Sequence, residues 1–104
     1  MSLKESSTVE LKKSVAQLDD ALKTICAFLN HKGGTIYFGV DNKGQILGTQ
    51  VSEKTFRKIS QQICSRIKPE TIPEIREITE NEKSLIEVKI SEGINKPYFL
   101  DGKA

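Results

Sequence analysis

The chain has 104 residues, of which 37% are hydrophobic and 29% charged, and a formal net charge of +2. That length fits one domain with one modest core, and the composition is that of a globular chain, neither disordered nor membrane-embedded. So small a net charge decides little about partners, because phosphate is held by a local cluster of Lys and Arg.

The start, "MSL" before "KESS", reads as a cloning scar over residues 1–3. The chain stops at "DGKA" with no closing element, so residues 4–104 are expected to be a single domain from a longer protein. From Thr8 to Lys12 apolar and polar residues alternate, Val9 and Leu11 against Thr8, Glu10 and Lys12, which is the period of a half-buried strand. Ser14 with Gln17 forms a capping-box signature, and Leu18, Leu22, Ile25 and Leu29 follow at helical spacing. The spacing predicts a helix ending near Asn30, with Gly33 and Gly34 as its stop.

Thr35 to Asp41 predicts a strand, with Ile36, Phe38 and Val40 on one face and Thr35, Tyr37, Gly39 and Asp41 on the other. "DNKG" supplies a turn with Gly44 at a positive φ, and a short strand over residues 46–48 completes a hairpin. Ser52 caps a second helix, Val51 and Phe56 form its hydrophobic staple, and Phe56, Ile59, Ile63 and Ile67 mark its buried stripe before Pro69 stops it. Glu74 to Thr79 and Leu85 to Ile90 read as a hairpin around "ENEK", and Tyr98 to Leu100 as a short edge strand. The fold class is α/β (α+β), a mixed sheet of about five to six strands with two main helices packed on one face.

Cys26 and Cys64 lie far apart in helical segments without metal-ligand spacing and are expected to be core thiols. There is no signal-peptide pattern and no run near the roughly 18 apolar residues of a membrane span, so a cytoplasmic setting without membrane contact is expected.

The glycines of "NHKGGTIYFGVDNKG" invite a phosphate-loop reading, but phosphate loops run strand, glycines, helix. Here the glycines follow a helix and precede a strand, so a helix stop explains Gly33 and Gly34 better. Gly39, inside the strand, implies that something approaches closely there. If both apolar strand faces cover the helices, then Glu10, Lys12, Tyr37, Gly39 and Asp41 share the opposite face, and Glu5 folds over it. Carboxylates beside a lysine can hold a divalent cation by hard oxygen ligands, although a solvated charged face is the commoner outcome. On the second helix Lys54, Arg57, Lys58 and Arg66 lie off the apolar stripe and form a basic outer surface suited to phosphates, again against a solvated default. His31, the only histidine, suits a helix C-terminus.

"ESSTVELKKS", "ICAFLNHKGGTIYFGVDNKGQILG", "IKPETIP" and "INKPYFLDGK" occur in the order of the Schlafen-type AlbA-like domain, also called a divergent AAA domain, and the resemblance spans Glu5 to Lys103. The resemblance implies a DNA-binding module near the N-terminus of a prokaryotic transcriptional regulator, with DNA or RNA as partner, Lys12 and Lys32 joining the basic residues above, and no cofactor needed for binding. Asn30, Gly33, Gly34, Gly39 and Gly44 match the family motif. Vertebrate Schlafen relatives use the same positions for a three-carboxylate, metal-dependent ribonuclease site. Carried over, Glu5, Glu10 and Asp41 would be ligands of Mg or Mn and Lys12 would assist them in catalysis. That nuclease joins two lobes, whereas this chain supplies one, so homodimerisation would be needed to match it. A dimerisation or interaction domain is the third reading.

Overall fold

The computed structural model describes residues 3–103. Met1, Ser2 and Ala104, which carry part of the expected scar and the open C-terminal end, lie outside the described residues. The chain runs through β1 (Val9–Lys12), α1 (Leu18–Asn30), β2 (Gly33–Phe38), α2 (Glu53–Arg66), β3 (Ile67–Lys68), β4 (Glu74–Glu80), β5 (Lys83–Ser91) and β6 (Phe99–Leu100). The six strands divide into a four-stranded mixed sheet, in order β1-β2-β5-β4, and a small β3-β6 sheet. β1 and β2 are parallel and are joined by the helical crossover that a parallel pair requires; the other pairs are antiparallel.

Both helices pack on one face of the larger sheet. Leu18, Leu22, Ile25 and Leu29 of α1 and Ile59 and Ile63 of α2 meet Ile36, Phe38, Ile86, Val88 and Ile90 in the main core. Ser14 caps as expected, its hydroxyl accepting from Ala16 N at 3.2 Å, but it opens a 3-10 turn at Val15–Gln17 that leads into α1. Ser52 caps α2 through Thr55 N at 3.2 Å, and Val51 and Phe56 pack on the main core. Cys26 is buried and Cys64 half-buried, both as free thiols.

Gly33 belongs to the strand as well as to the helix stop. Its φ is +83°, and a Cβ there would lie 2.5 Å from the Ile90 carbonyl oxygen, so only glycine fits. The strand then stops at Phe38, because Gly39 takes φ +108° and turns its carbonyl to Leu47 N and Gly48 N, at 2.8 and 3.0 Å. The reversal moves Val40 to the face away from the helices, and the expected strand at residues 46–48 shrinks to one Val40–Ile46 bridge.

The face assignment of β1 also differs from expectation. In the parallel register Glu10 stands beside Ile36 and Lys12 beside Phe38, so both polar residues are on the helix side. Val9 and Leu11 point away from the helices into a second, smaller core with Leu3, Tyr37, Val40, Ile46, Ile78 and Leu85. Two cores explain the error: alternation shows that the faces of a strand differ, but when both faces bury apolar groups it does not say which lies under the helices.

On the far face Glu87 is only 3% exposed. It accepts from Arg76 Nε at 2.6 Å and from the Tyr37 hydroxyl at 2.9 Å. Burial pushes its carboxyl up, but the bonds from Arg76 and Tyr37 outweigh burial and leave it below its ordinary value of 4.5. Burial and the same carboxylate push the Tyr37 hydroxyl up to about 12. A carboxylate whose folded pKa is depressed stabilises the fold above its unfolded pKa, and that contribution fades as pH falls through the folded value. Arg76→Met is therefore expected to lower the melting temperature most at neutral pH and to converge on the parent only as pH falls through the lowered folded pKa of Glu87, below its ordinary 4.5. A gap that stays constant across thermal melts from neutral to acid pH would reduce Arg76 to a packing role.

Candidate nucleic-acid interface

β1 is an edge strand, and the segment before it folds back along it. Ser6 and Val9 exchange backbone hydrogen bonds of 3.0 and 3.4 Å, and Glu5 Oε2 accepts from Leu11 N at 3.3 Å, covering an edge donor. One residue inward, Glu10 Oε2 accepts from Thr24 of α1 at 3.0 Å and lies 3.4 Å from Lys12 Nζ. Burial raises the Glu10 carboxyl, but its bonds to Glu5 and Thr24 and the Lys12 charge bring it below the ordinary value. Glu10 is thus an oriented, ionised acceptor paired with the Lys12 ammonium. Three of the four residues expected to act together, Glu5, Glu10 and Lys12, do meet.

Asp41 does not join them as a shared ligand group. Its Oδ1 accepts from Lys43 N and Gln45 N, both at 2.9 Å, which spends that oxygen on closing the turn. Among the described residues no three His, Cys, Asp or Glu side chains gather where one metal ion could be held. The carboxylates therefore do not fit a three-ligand Mg or Mn centre in this arrangement, and no reaction step follows from them. Gly39 leaves no open space either: a Cβ there would lie 3.1 Å from the Gly48 carbonyl carbon, so the close approach comes from the chain itself. At Gly44, with φ +84°, the nearest group is the Leu3 carbonyl.

Beside Glu10 opens a cavity of about 820 Å³, between the residue 6–10 segment and the outer face of α1. Its walls include Ser6, Ser7, Thr8, Val9, Ala27, Phe28 and His31, and its cations are Lys23, Lys32 and Lys96. Two smaller hollows adjoin it. One shares Thr8 and Lys32 and adds Lys89; the other shares Lys23 and His31 and adds Lys103. Together they form a trough around the C-terminal end of α1 in which five lysines, Lys23, Lys32, Lys89, Lys96 and Lys103, outnumber the carboxylates Glu10, Glu74 and Asp101. The helix dipole there is negative, so attraction for an anion comes from the side chains. Lys32 and Lys89 take part in none of the ion pairs among the described residues, while Lys23 pairs loosely with Asp20 at 3.8 Å and Lys96 with Glu92.

Asn30 supports the trough without entering its chemistry. Its Nδ2 donates to Tyr98 O at 3.0 Å and its Oδ1 accepts from Tyr98 N at 2.7 Å, which fixes the segment carrying Lys96 against α1. Gly34 lets β2 lie on the Phe28 ring, 2.7 Å from where a Cβ would stand.

The expected basic surface of α2 divides. Lys54 and Lys58 are exposed, and Arg57 pairs with Glu53 at 3.1 Å. Arg66 is committed to the fold: its guanidinium binds Asp101 at 2.8 and 3.0 Å, Asp19 at 2.7 Å and Gln62 at 3.1 Å, tying α2 to α1 and to the C-terminal turn. None of these four residues lines the trough. Lys23, Lys89, Lys96 and Lys103 were not singled out from the sequence. The exposed i, i+4, i+8 row of Lys23, Ala27 and His31, off the apolar stripe, was a legible signal for part of the trough; the arrival of Lys96 was not.

The family model described as Schlafen, AlbA_2 matches residues 5–104. None of the curated proteins matches the chain. Among solved structures, the N-terminal domain of a RecG-related candidate ATP-dependent DNA helicase from Nitrosomonas europaea is similar at 25% identity and a TM-score of 0.71, over 86% of this chain and 66% of that one. A protein from Corynebacterium diphtheriae is similar at 16% identity and a TM-score of 0.75, over 99% of this chain and 21% of that one, a likeness of fold. No helix among the described residues is long and apolar enough to cross a membrane.

Proposed function

This chain belongs to the Schlafen, AlbA_2 family, and on that premise we propose that it is a nucleic-acid-binding domain of a transcriptional regulator that holds phosphates along the trough beside Glu10. The observation that carries this reading is the convergence on one cavity of Lys23 and Lys32, from α1 and the turn after it, with Lys96 from a distant stretch of chain. The helicase-related name of the Nitrosomonas europaea neighbour points the same way.

The test is fluorescence polarisation with labelled DNA and RNA across a salt series. Three phosphate contacts give a log–log slope of about −2 on a single strand. A slope near zero, or no binding to either nucleic acid, overturns the proposal.

Glu10 lines the trough with Glu5 and Lys12 beside it, which favours one second reading, a ribonuclease, whose metal would have to be held without a three-carboxylate centre within this one chain. Incubation of structured RNA with Mn²⁺ decides between them. Cleavage by the parent that Glu10→Gln abolishes would make the domain an enzyme, and RNA left equally intact by both proteins keeps it a binding module.

A further inference from the structure

We infer that the trough admits single-stranded nucleic acid, one nucleotide entering the cavity beside Glu10 with its base inward and its phosphate on the rim, and that duplex is a poor ligand. The inference rests on the nucleic-acid reading above and deepens it. A duplex turns its phosphates outward on a convex surface and keeps its bases stacked inside, so a flat patch of lysines would serve it. The cavity is instead concave, and its volume of about 820 Å³ is that of a small-molecule site.

Its chemistry is also divided by exposure, with Phe28 buried and Glu10 half-buried while Lys23, Lys32 and Lys96 are exposed. Ala27 and Phe28 give an apolar wall, Ser6, Ser7 and Thr8 give hydroxyls, and the lysines have long, flexible side chains able to reach the mouth. Glu10 stands in the wall as an ionised carboxylate held by Thr24 and Lys12. It repels phosphate from the interior and accepts hydrogen bonds from base N–H groups, which orients a nucleotide base-first. Unstacked single strands offer such bases, and a paired duplex does not.

Fluorescence anisotropy with a labelled dodecamer, alone and annealed to its complement, tests this with the parent, Ala27→Trp and Ser7→Trp. Ala27 and Ser7 are exposed, so either substitution fills the cavity without loss of core packing or charge. The single strand is expected to bind about tenfold more tightly than the duplex, and each Trp to weaken it about tenfold while leaving duplex binding within about twofold. Duplex binding as tight as single-strand binding, or Trp variants that bind the single strand like the parent, overturns the inference and leaves the nucleic-acid reading standing. A mononucleotide that binds as tightly as the dodecamer assigns the cavity to a free nucleotide and also overturns it. Absence of binding by either strand form overturns both readings.

Discussion

Replacing Lys23, Lys32 and Lys96 together by glutamate is expected to cut nucleic-acid affinity by at least about a hundredfold near physiological salt, and to flatten what remains of the salt dependence. Each substitution removes a phosphate contact and installs a repelling charge at the same place. The fold should tolerate the change. All three lysines are exposed, and the Lys23–Asp20 and Lys96–Glu92 pairs are surface contacts of the kind that contribute about 1 kcal/mol or less. The matched control reverses Lys54, Arg57 and Lys58 on α2, which changes net charge equally but lies off the trough. That triple should stay within about threefold of the parent by the same polarisation assay, since only a uniform field effect remains. Were the α2 triple to lose binding while the trough triple kept it, the interface would lie on α2, where the sequence first pointed.

Asn30→Ala should destabilise the domain by about 2–4 kcal/mol and lower the melting temperature by on the order of 10–20 °C. Tyr98 is 2% exposed, and its backbone N–H and C=O both bond to the Asn30 amide. Truncation strips the N–H of its partner and leaves the C=O with only the weak Cys26 thiol contact at 3.4 Å. Asn30→Asp should fail as well, because it keeps an acceptor for Tyr98 N but sets a charge against Tyr98 O in place of a donor. Urea denaturation and thermal melts measure both. A melting temperature within about 2 °C of the parent would show that the motif asparagine serves something other than the fold. Glu10→Gln is the instructive contrast: its carboxylate lies at the trough, so binding or cleavage should change before stability does.

These two predictions reverse the roles that the motif implied for its parts. Asn30 and the glycines stood together with Glu10 and Asp41 in one motif, yet the structure gives Asn30, Gly33 and Gly34 to chain packing and Asp41 to its own turn. Arg66 shows the same difficulty. Its helical position marked it as an outward cation, but Asp19 and Asp101, remote in sequence, surround it and bind it into the fold. Spacing along a helix tells which way a side chain leaves the axis and nothing about what waits there.

By itself the sequence determined the types and most of the limits of the elements. Those depend on local physics: the Ser14 and Ser52 caps, the leucine and isoleucine stripes of α1 and of α2 as far as Ile63, and the hairpin of β4 and β5, whereas Ile67, expected in α2 before Pro69, begins β3 because it pairs with Leu100. It also brought Glu5, Glu10 and Lys12 to one neighbourhood, since they lie within eight consecutive residues. What only the tertiary structure decided was which side of the sheet that neighbourhood faces and what else it meets there. The parallel register with β2 set Glu10 beneath α1, and the positive φ of Gly39 sent Val40 to the far face. The Asn30 clamp carried Lys96 across from a distant stretch of chain. Period and propensity act over a few residues, whereas register, sheet face and the meeting of remote charges are fixed by packing between elements, and there the second small core changed the outcome.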